Sequence, residues 1–130
     1  MRSDRVSPPR GTYSQAIRVA AGSDLIFLSG LTSRARDGSV IGAGDPALQV
    51  RTIFAALRDI LEEVGGGLAD VVKVTIFVTS MADSAAVQAE RSSVFPIDPP
   101  ASTMVEVSAL ADPDLCVEIE FVAAIAPQTG

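Results

Sequence analysis

Two stretches near the end of the chain alternate hydrophobic and polar residues most cleanly. In the segment 99–107, Thr103, Val105 and Val107 share one side and Met104 and Glu106 the other; in 116–121, Val117, Ile119 and Phe121 oppose Cys116, Glu118 and Glu120. A period of two built on β-branched residues predicts extended strands. Between them, Ala111-Asp112-Pro113-Asp114 has turn chemistry, since Pro presets φ and Asp bonds its own backbone. The pattern therefore predicts an antiparallel pair, with Glu118 fixed on a strand.

Earlier in the chain, Tyr13 to Ala21 reads as a strand, Gly22-Ser23-Asp24 as a turn and Leu25 to Gly30 as a buried strand, the two strands forming a hairpin. The glycine-rich segment 32–44 predicts a loop with at most a short strand at Val40-Ile41. From Pro46 to Val64 the apolar residues Leu48, Val50, Ile53, Phe54, Leu57, Ile60, Leu61 and Val64 recur at three and four, a broad helical stripe. Asp45 is placed to cap that helix, Pro46 to start it and Gly65-Gly66-Gly67 to stop it. Asp70 to Thr79 is apolar on nearly both sides, as a central strand is. A second helix spans Asp83 to Val94 and ends before Pro96. The order β-β-α-β-α-β-β predicts an α+β sandwich, a mixed sheet with two helices on one face. The other face then needs a partner chain. Residues 1–10 are expected to be a flexible arm, 11–126 a single domain and 127–130 a tail.

Composition narrows the chemistry. A chain of 130 residues that is 48% hydrophobic is too small to bury that much apolar surface alone, which again points to an oligomer. The net charge of −6 disfavours nucleic acid as a partner. No apolar run reaches the roughly 18 residues of a spanning helix, so no membrane partner is expected. Met1-Arg2-Ser3-Asp4 begins no apolar leader and the chain has one cysteine, so a reducing, cytoplasmic location is expected. There is no histidine. That removes the usual general base, Ser-His and Cys-His nucleophile pairs, and most transition-metal sites, so neither a metal nor an organic cofactor is implied. Cys116 without such a partner reads as a small core residue.

Gly11-x-Tyr13-Ser14-Gln15-Ala16, Leu28-Ser29-Gly30, Gln49 in the first helix, the strand Asp70 to Val78, Val105-Glu106-Val107 and Val117-Glu118-Ile119-Glu120 stand in an order and spacing that resembles the RidA, or YjgF/YER057c/UK-type, family over residues 11–126. The resemblance implies a chorismate-mutase-like α+β fold and a homotrimer that binds a small-molecule ligand in clefts between subunits. Many members hydrolyse reactive enamines and imines to ammonia and a keto acid; others are associated with RNA cleavage. By position, Glu118 resembles the carboxylate that orients or activates water, Tyr13 the cleft tyrosine, and Ser29 the hydroxyl at a strand end. Gln88 stands where an Asn is common, and the backbone near Ser102 and Thr103 is placed to polarise a carbonyl or imine.

Each of these residues also has an ordinary structural role open to it: Tyr13 as an interface aromatic, Ser29 as a strand end, Gln88 as a solvent-facing amide, and Glu120 and Glu106 as rim charges.

The departure from the family is at Ser102, where the resemblance places the arginine that clamps a substrate carboxylate. A hydroxyl cannot imitate that planar fork. Losing a desolvated charge pair costs about 2–5 kcal/mol, and a neutral hydrogen bond returns about 0.5–1.5 kcal/mol. Deamination of a standard 2-imino acid is therefore not expected. The expected function is that of a hydrolase or deaminase acting on a small molecule without the usual α-carboxylate. The alternative is a non-catalytic trimer that holds a metabolite or a protein partner. Arg34, Arg36 and Arg91 are candidates to replace the clamp, each with surface charge as its default reading.

Overall fold

The computed structural model describes residues 1–127. Helix α1 (Pro46–Glu63) starts where the Asp45 carboxylate accepts the Leu48 N–H at 3.1 Å, with Pro46 in the first turn. It stops in a Schellman motif: Gly65 N–H donates to the Glu62 carbonyl at 3.1 Å and Gly66 N–H to the Leu61 carbonyl at 2.8 Å. Gly65 has φ +81°, which a side chain would strain. Helix α2 (Ser84–Val94) is shorter and follows a 3-10 turn, Met81–Asp83, capped by Ser80.

Four strands form one mixed sheet: β1 (Asp24–Thr32), β2 (Val71–Val78), β3 (Ala101–Glu106) and β4 (Val117–Ile125), in the spatial order β1-β4-β2-β3. β4 runs antiparallel to both β1 and β2, and β2 runs parallel to β3. The parallel pair needs a crossover, and α2 supplies it. Both helices cover one face. On that face Val74, Ile76, Val78, Val117, Ile119 and Phe121 meet Val50, Ile53, Phe54, Leu57 and Leu61 of α1 and Val87 of α2, all buried. Phe54 packs edge-on to Phe95 and tilted against Phe121, with ring centroids 5.6 Å and 5.9 Å away.

Two expectations fail. The segments 99–107 and 116–121 are strands, but they do not pair, because β2 lies between them. Alternation specifies an extended backbone with a buried side, not its neighbour. The Asp-Pro segment is a crossing over the end of β2, tied at both sides: Val107 N–H donates to Val78 O, and Thr79 N–H to Cys116 O. Nor do Tyr13 to Ala21 form a strand or a hairpin with β1. Only Ser14 bridges, to Ala101, and residues 16 and 18–20 are exposed. The stretch meets the sheet at one point on the edge of β3, leaves the free edge of β1 unpaired and is otherwise irregular. The glycine-rich loop carries a single bridge, Arg34 with Val40. The first residues run back along the segment around Gln15: Ser3 N–H donates to Gln15 Oε1 at 2.6 Å, and Gln15 Nε2 to the Ser7 carbonyl at 3.0 Å. The expected tail from residue 128 on lies outside the described residues.

The sheet's other face is bare and partly apolar. Phe27 is 74% exposed there, Leu25 52% and Val105 39%. Lys73, Thr75, Thr103, Glu118 and Glu120 share this face, by their register with one another and by alternation with the buried residues.

One buried amide ties the loops to the core. Gln49, in the first turns of α1, is fully buried. Its Nε2 donates to the carbonyls of Gly42 and Asp114, each at 2.9 Å, and its Oε1 accepts the Cys116 N–H at 2.9 Å. Gln49→Leu is expected to fold but to lose about 3 kcal/mol or more, since each stranded buried polar group costs about 1–3 kcal/mol. Chemical denaturation checks it: the midpoint should fall with little change in slope.

Candidate functional site

The chemistry-bearing residues gather in two places, one on each face of the sheet. On the helix side, a cavity of about 220 Å³ is lined by Arg10, Tyr13, Gln88, Arg91, Ser102 and Met104. Ser102 enters it because β3 alternates. It is in register with the buried Val74, so it faces α2, while Thr103 faces the open side. Gln88 and Arg91 are one turn apart on α2 and so project together. Tyr13 lies across them, its hydroxyl accepting the Arg10 N–H at 3.2 Å. Gly11 lets the chain pass close: a Cβ there would sit 2.8 Å from Gln88 Oε1 and 3.0 Å from Arg91 Nη2.

Arg91 is the centre of this cluster. It is 3% exposed, so surface charge, its default reading from sequence, is wrong. Its Nη1 donates to Ser102 Oγ at 2.8 Å, and its Cζ lies 5.9 Å from the centre of the Tyr13 ring. Its Nε is buried with no hydrogen-bond partner among the described residues. Burial pushes its pKa down and Tyr13 pushes it up; a guanidinium stays protonated throughout. The sequence carried a signal for this. Arg91 follows the buried Val87 by four residues and precedes Phe95, also buried, by four, so it occupies a core position of the helix. Of the other two candidates, Arg34 donates to the Gly38 carbonyl at 2.8 Å in its own loop, and Arg36 is exposed.

Glu118 is elsewhere. It sits on β4 in register with Thr32 of β1 and Phe77 of β2, half-buried on the open face. Its carboxylate lies over Gly30, where a Cβ would collide with it. The β1–β4 register shifts between Leu28 and Leu31, which puts the exposed Ser29 beside that glycine at the irregularity. Thr103, on the same face, accepts from Lys73 Nζ at 2.9 Å. The structure thus brings Tyr13, Gln88 and Ser102 together and separates them from Glu118, Ser29 and Thr103. Glu106 accepts the Met81 N–H at 2.8 Å and caps that turn, and Glu120 is exposed on the open face. Cys116 is half-buried against the core, and burial first, then Asp83, pushes its thiol above the ordinary range. Among the described residues, no group of three or more His, Cys, Asp or Glu side chains is placed to hold a metal ion, and no helix is long and apolar enough to cross a membrane.

Comparison with known proteins places this arrangement. A family model described as Endoribonuclease L-PSP matches residues 4–125. A RutC family protein of Pyrococcus abyssi is 35% identical over 121 residues, 93% of this chain and 92% of that protein. The 3-aminoacrylate deaminase RutC of Acinetobacter baylyi is 32% identical over 116 residues, 89% of each chain. Among solved structures, a conserved Rid family protein of unknown function from Yersinia pestis superposes with a TM-score of 0.80 at 28% identity, covering 92% of this chain and 96% of that one.

Two outcomes test these placements. In Gly30→Ala the new methyl group should drive the Glu118 carboxylate into another rotamer while the helix-side core is undisturbed, which a crystal structure of the variant would show. Cys116, its thiol pKa raised, is expected to alkylate with iodoacetamide more slowly than free cysteine at about pH 8 and to speed up as the solution is made more alkaline.

Proposed function

Since the chain belongs to the endoribonuclease L-PSP, or RidA/YjgF, family, we propose that it is a hydrolase of small enamines or imines, releasing ammonia in clefts between the protomers of a homotrimer. The observation that carries this reading is the division of the site. A carboxylate set against a strand irregularity, Glu118 over Gly30, lies on the open face near β1. The binding pocket of Tyr13, Gln88 and Ser102 lies on the helix side of the edge strand β3. Side-by-side packing of copies through the apolar open face, where Phe27 and Leu25 are exposed, would cover that surface and bring one protomer's pocket toward the next protomer's carboxylate.

In such a cleft Tyr13 and Gln88 hydrogen-bond the polar edge of the substrate. Glu118 takes a proton from the water that adds to the C=N carbon and returns it to nitrogen. A second proton then passes from the new hydroxyl to the amine as the C–N bond breaks, so ammonia leaves and the carbonyl product remains. The exposed Ser29 and the backbone at Ser102 and Thr103 are placed to polarise the carbon under attack. The similarity to a 3-aminoacrylate deaminase supports this reaction class. The ribonuclease activity in the family's description fits poorly with a chain of net charge −6 and no histidine.

The test is ammonia release from small imines and enamines generated in situ, with and without a carboxylate group. Turnover above the uncatalysed rate is expected, and Glu118→Gln should lower it about 100-fold or more, the usual worth of a positioned acid–base group. Undiminished turnover in Glu118→Gln would refute the assigned role. Binding without any ammonia across the series would make the chain a non-catalytic binding trimer. Phe27→Asp puts a charge on the open face and is expected to give monomers on size exclusion and to abolish turnover.

A further inference from the structure

Arg91 is a buried cation with no anion. Among the described residues the ion pairs are Arg51 with Glu90 and Arg34 with Asp112, and neither involves it. Burying a guanidinium is costly unless a negative charge meets it, which is why buried arginines are nearly always paired. Here its polar neighbours are a serine hydroxyl and an aromatic face, its Nε bonds to nothing, and it lines a cavity of about 220 Å³. None of the lining residues is acidic. A pocket with a desolvated, positioned fork and no carboxylate of its own is shaped for a carboxylate from outside.

We infer that Arg91 is the residue that holds a substrate carboxylate, so that the pocket of Tyr13, Gln88, Arg91 and Ser102 takes a small carboxylic acid rather than a neutral imine. The inference rests on reading this pocket as the substrate site. It reverses the expectation drawn from Ser102. The guanidinium is delivered from helix α2 instead of from position 102 on the strand, and Ser102 is the positioning residue that accepts from Nη1 and sets its angle. The remaining N–H groups are left for the ligand. Selectivity for an acid then comes from a residue on one element and its orientation from another.

The experiment is a titration of the full-length protein with 2-oxobutyrate, with its uncharged amide 2-oxobutanamide, and with inorganic phosphate, by calorimetry. Binding of 2-oxobutyrate without the amide is expected, with phosphate a poor competitor. Arg91→Met should weaken 2-oxobutyrate binding about tenfold or more, as the loss of a charge-assisted pair does. Ser102→Arg should also weaken it, because two guanidinium groups would then crowd one place. The double change of Arg91→Ser with Ser102→Arg should restore it, with KM recovering more than kcat. Equal affinity for acid and amide, tighter binding of phosphate, or unchanged affinity in Arg91→Met would overturn the inference. Should Arg91→Met fail to fold, the comparison of acid with amide in the unaltered protein and the double variant decide it. Arg91-dependent binding of the acid without ammonia release would sustain this inference and end the deaminase reading. Ammonia release with a KM indifferent to Arg91 would do the reverse.

Discussion

The three hydrogen bonds of the Gln49 side chain fix where β4 begins. The amide joins the loop before α1, at Gly42, to the crossing segment at Asp114 and to Cys116, the residue just before β4. Because alternation is strict, setting Cys116 sets Val117 inward and Glu118 outward. A slip of one residue would bury the carboxylate and expose four core side chains, Val117, Ile119, Phe121 and Ala123. In the low-dielectric interior such a network is strong when every member is satisfied and expensive when one is lost. Gln49 uses its two protons and its carbonyl oxygen on backbone groups of two loops, none of which lies within a strand. The candidate catalytic carboxylate is thus held in place by a residue that never touches it.

The sheet then acts as a partition. Its helix face is filled by aliphatic side chains of α1 and α2 and, at the edge strand β3, by the Arg91 cluster; its open face carries Glu118 and Lys73 among exposed apolar residues. Opposite charges on opposite faces of a packed sheet neither pair nor quench each other, so both remain available to a ligand. The same partition means that a single chain holds the two parts of the proposed site on opposite faces. In the proposed homotrimer, packing through the open face would hide Phe27 and Leu25 and join the two halves in one step.

What could be read from the chain follows what is local. The α1 stripe, its Asp45 cap and its glycine stop are all encoded within a few residues and stand as expected. So does the alternation that turns Glu118 away from Ile119. Pairing is not local. Pro99 to Val107 prefers an extended backbone whichever strand it joins, and the choice of β2 over β4 is made by α2, whose length suits a parallel crossover. Tyr13 to Ala21 alternates too, but its backbone finds one bridge, at Ser14, and its other hydrogen bonds go to turns and to the first residues of the chain. Of the site, Tyr13, Gln88 and Ser102 could be named from the resemblance because family position survives even where identity changes. Arg91 was legible only as one cation among three. Helical spacing from Val87 marks it as inward, yet composition alone assigns arginine to the surface.

How a buried arginine persists without a carboxylate is a question of how its charge is shared. Arg91 lies in the last turn of α2, where unpaired backbone carbonyls give the helix end a partial negative charge. The Tyr13 ring presents its electron-rich face, and Ser102 contributes an acceptor. Each of these is worth about 1 kcal/mol or somewhat less, so together they offset part of the desolvation without neutralising the charge. An aspartate in the same place would have stabilised the fold more and left nothing for a ligand to bind. The arrangement keeps a cation desolvated, oriented and unsatisfied, and that is the state in which it discriminates most strongly between an anion and a neutral molecule.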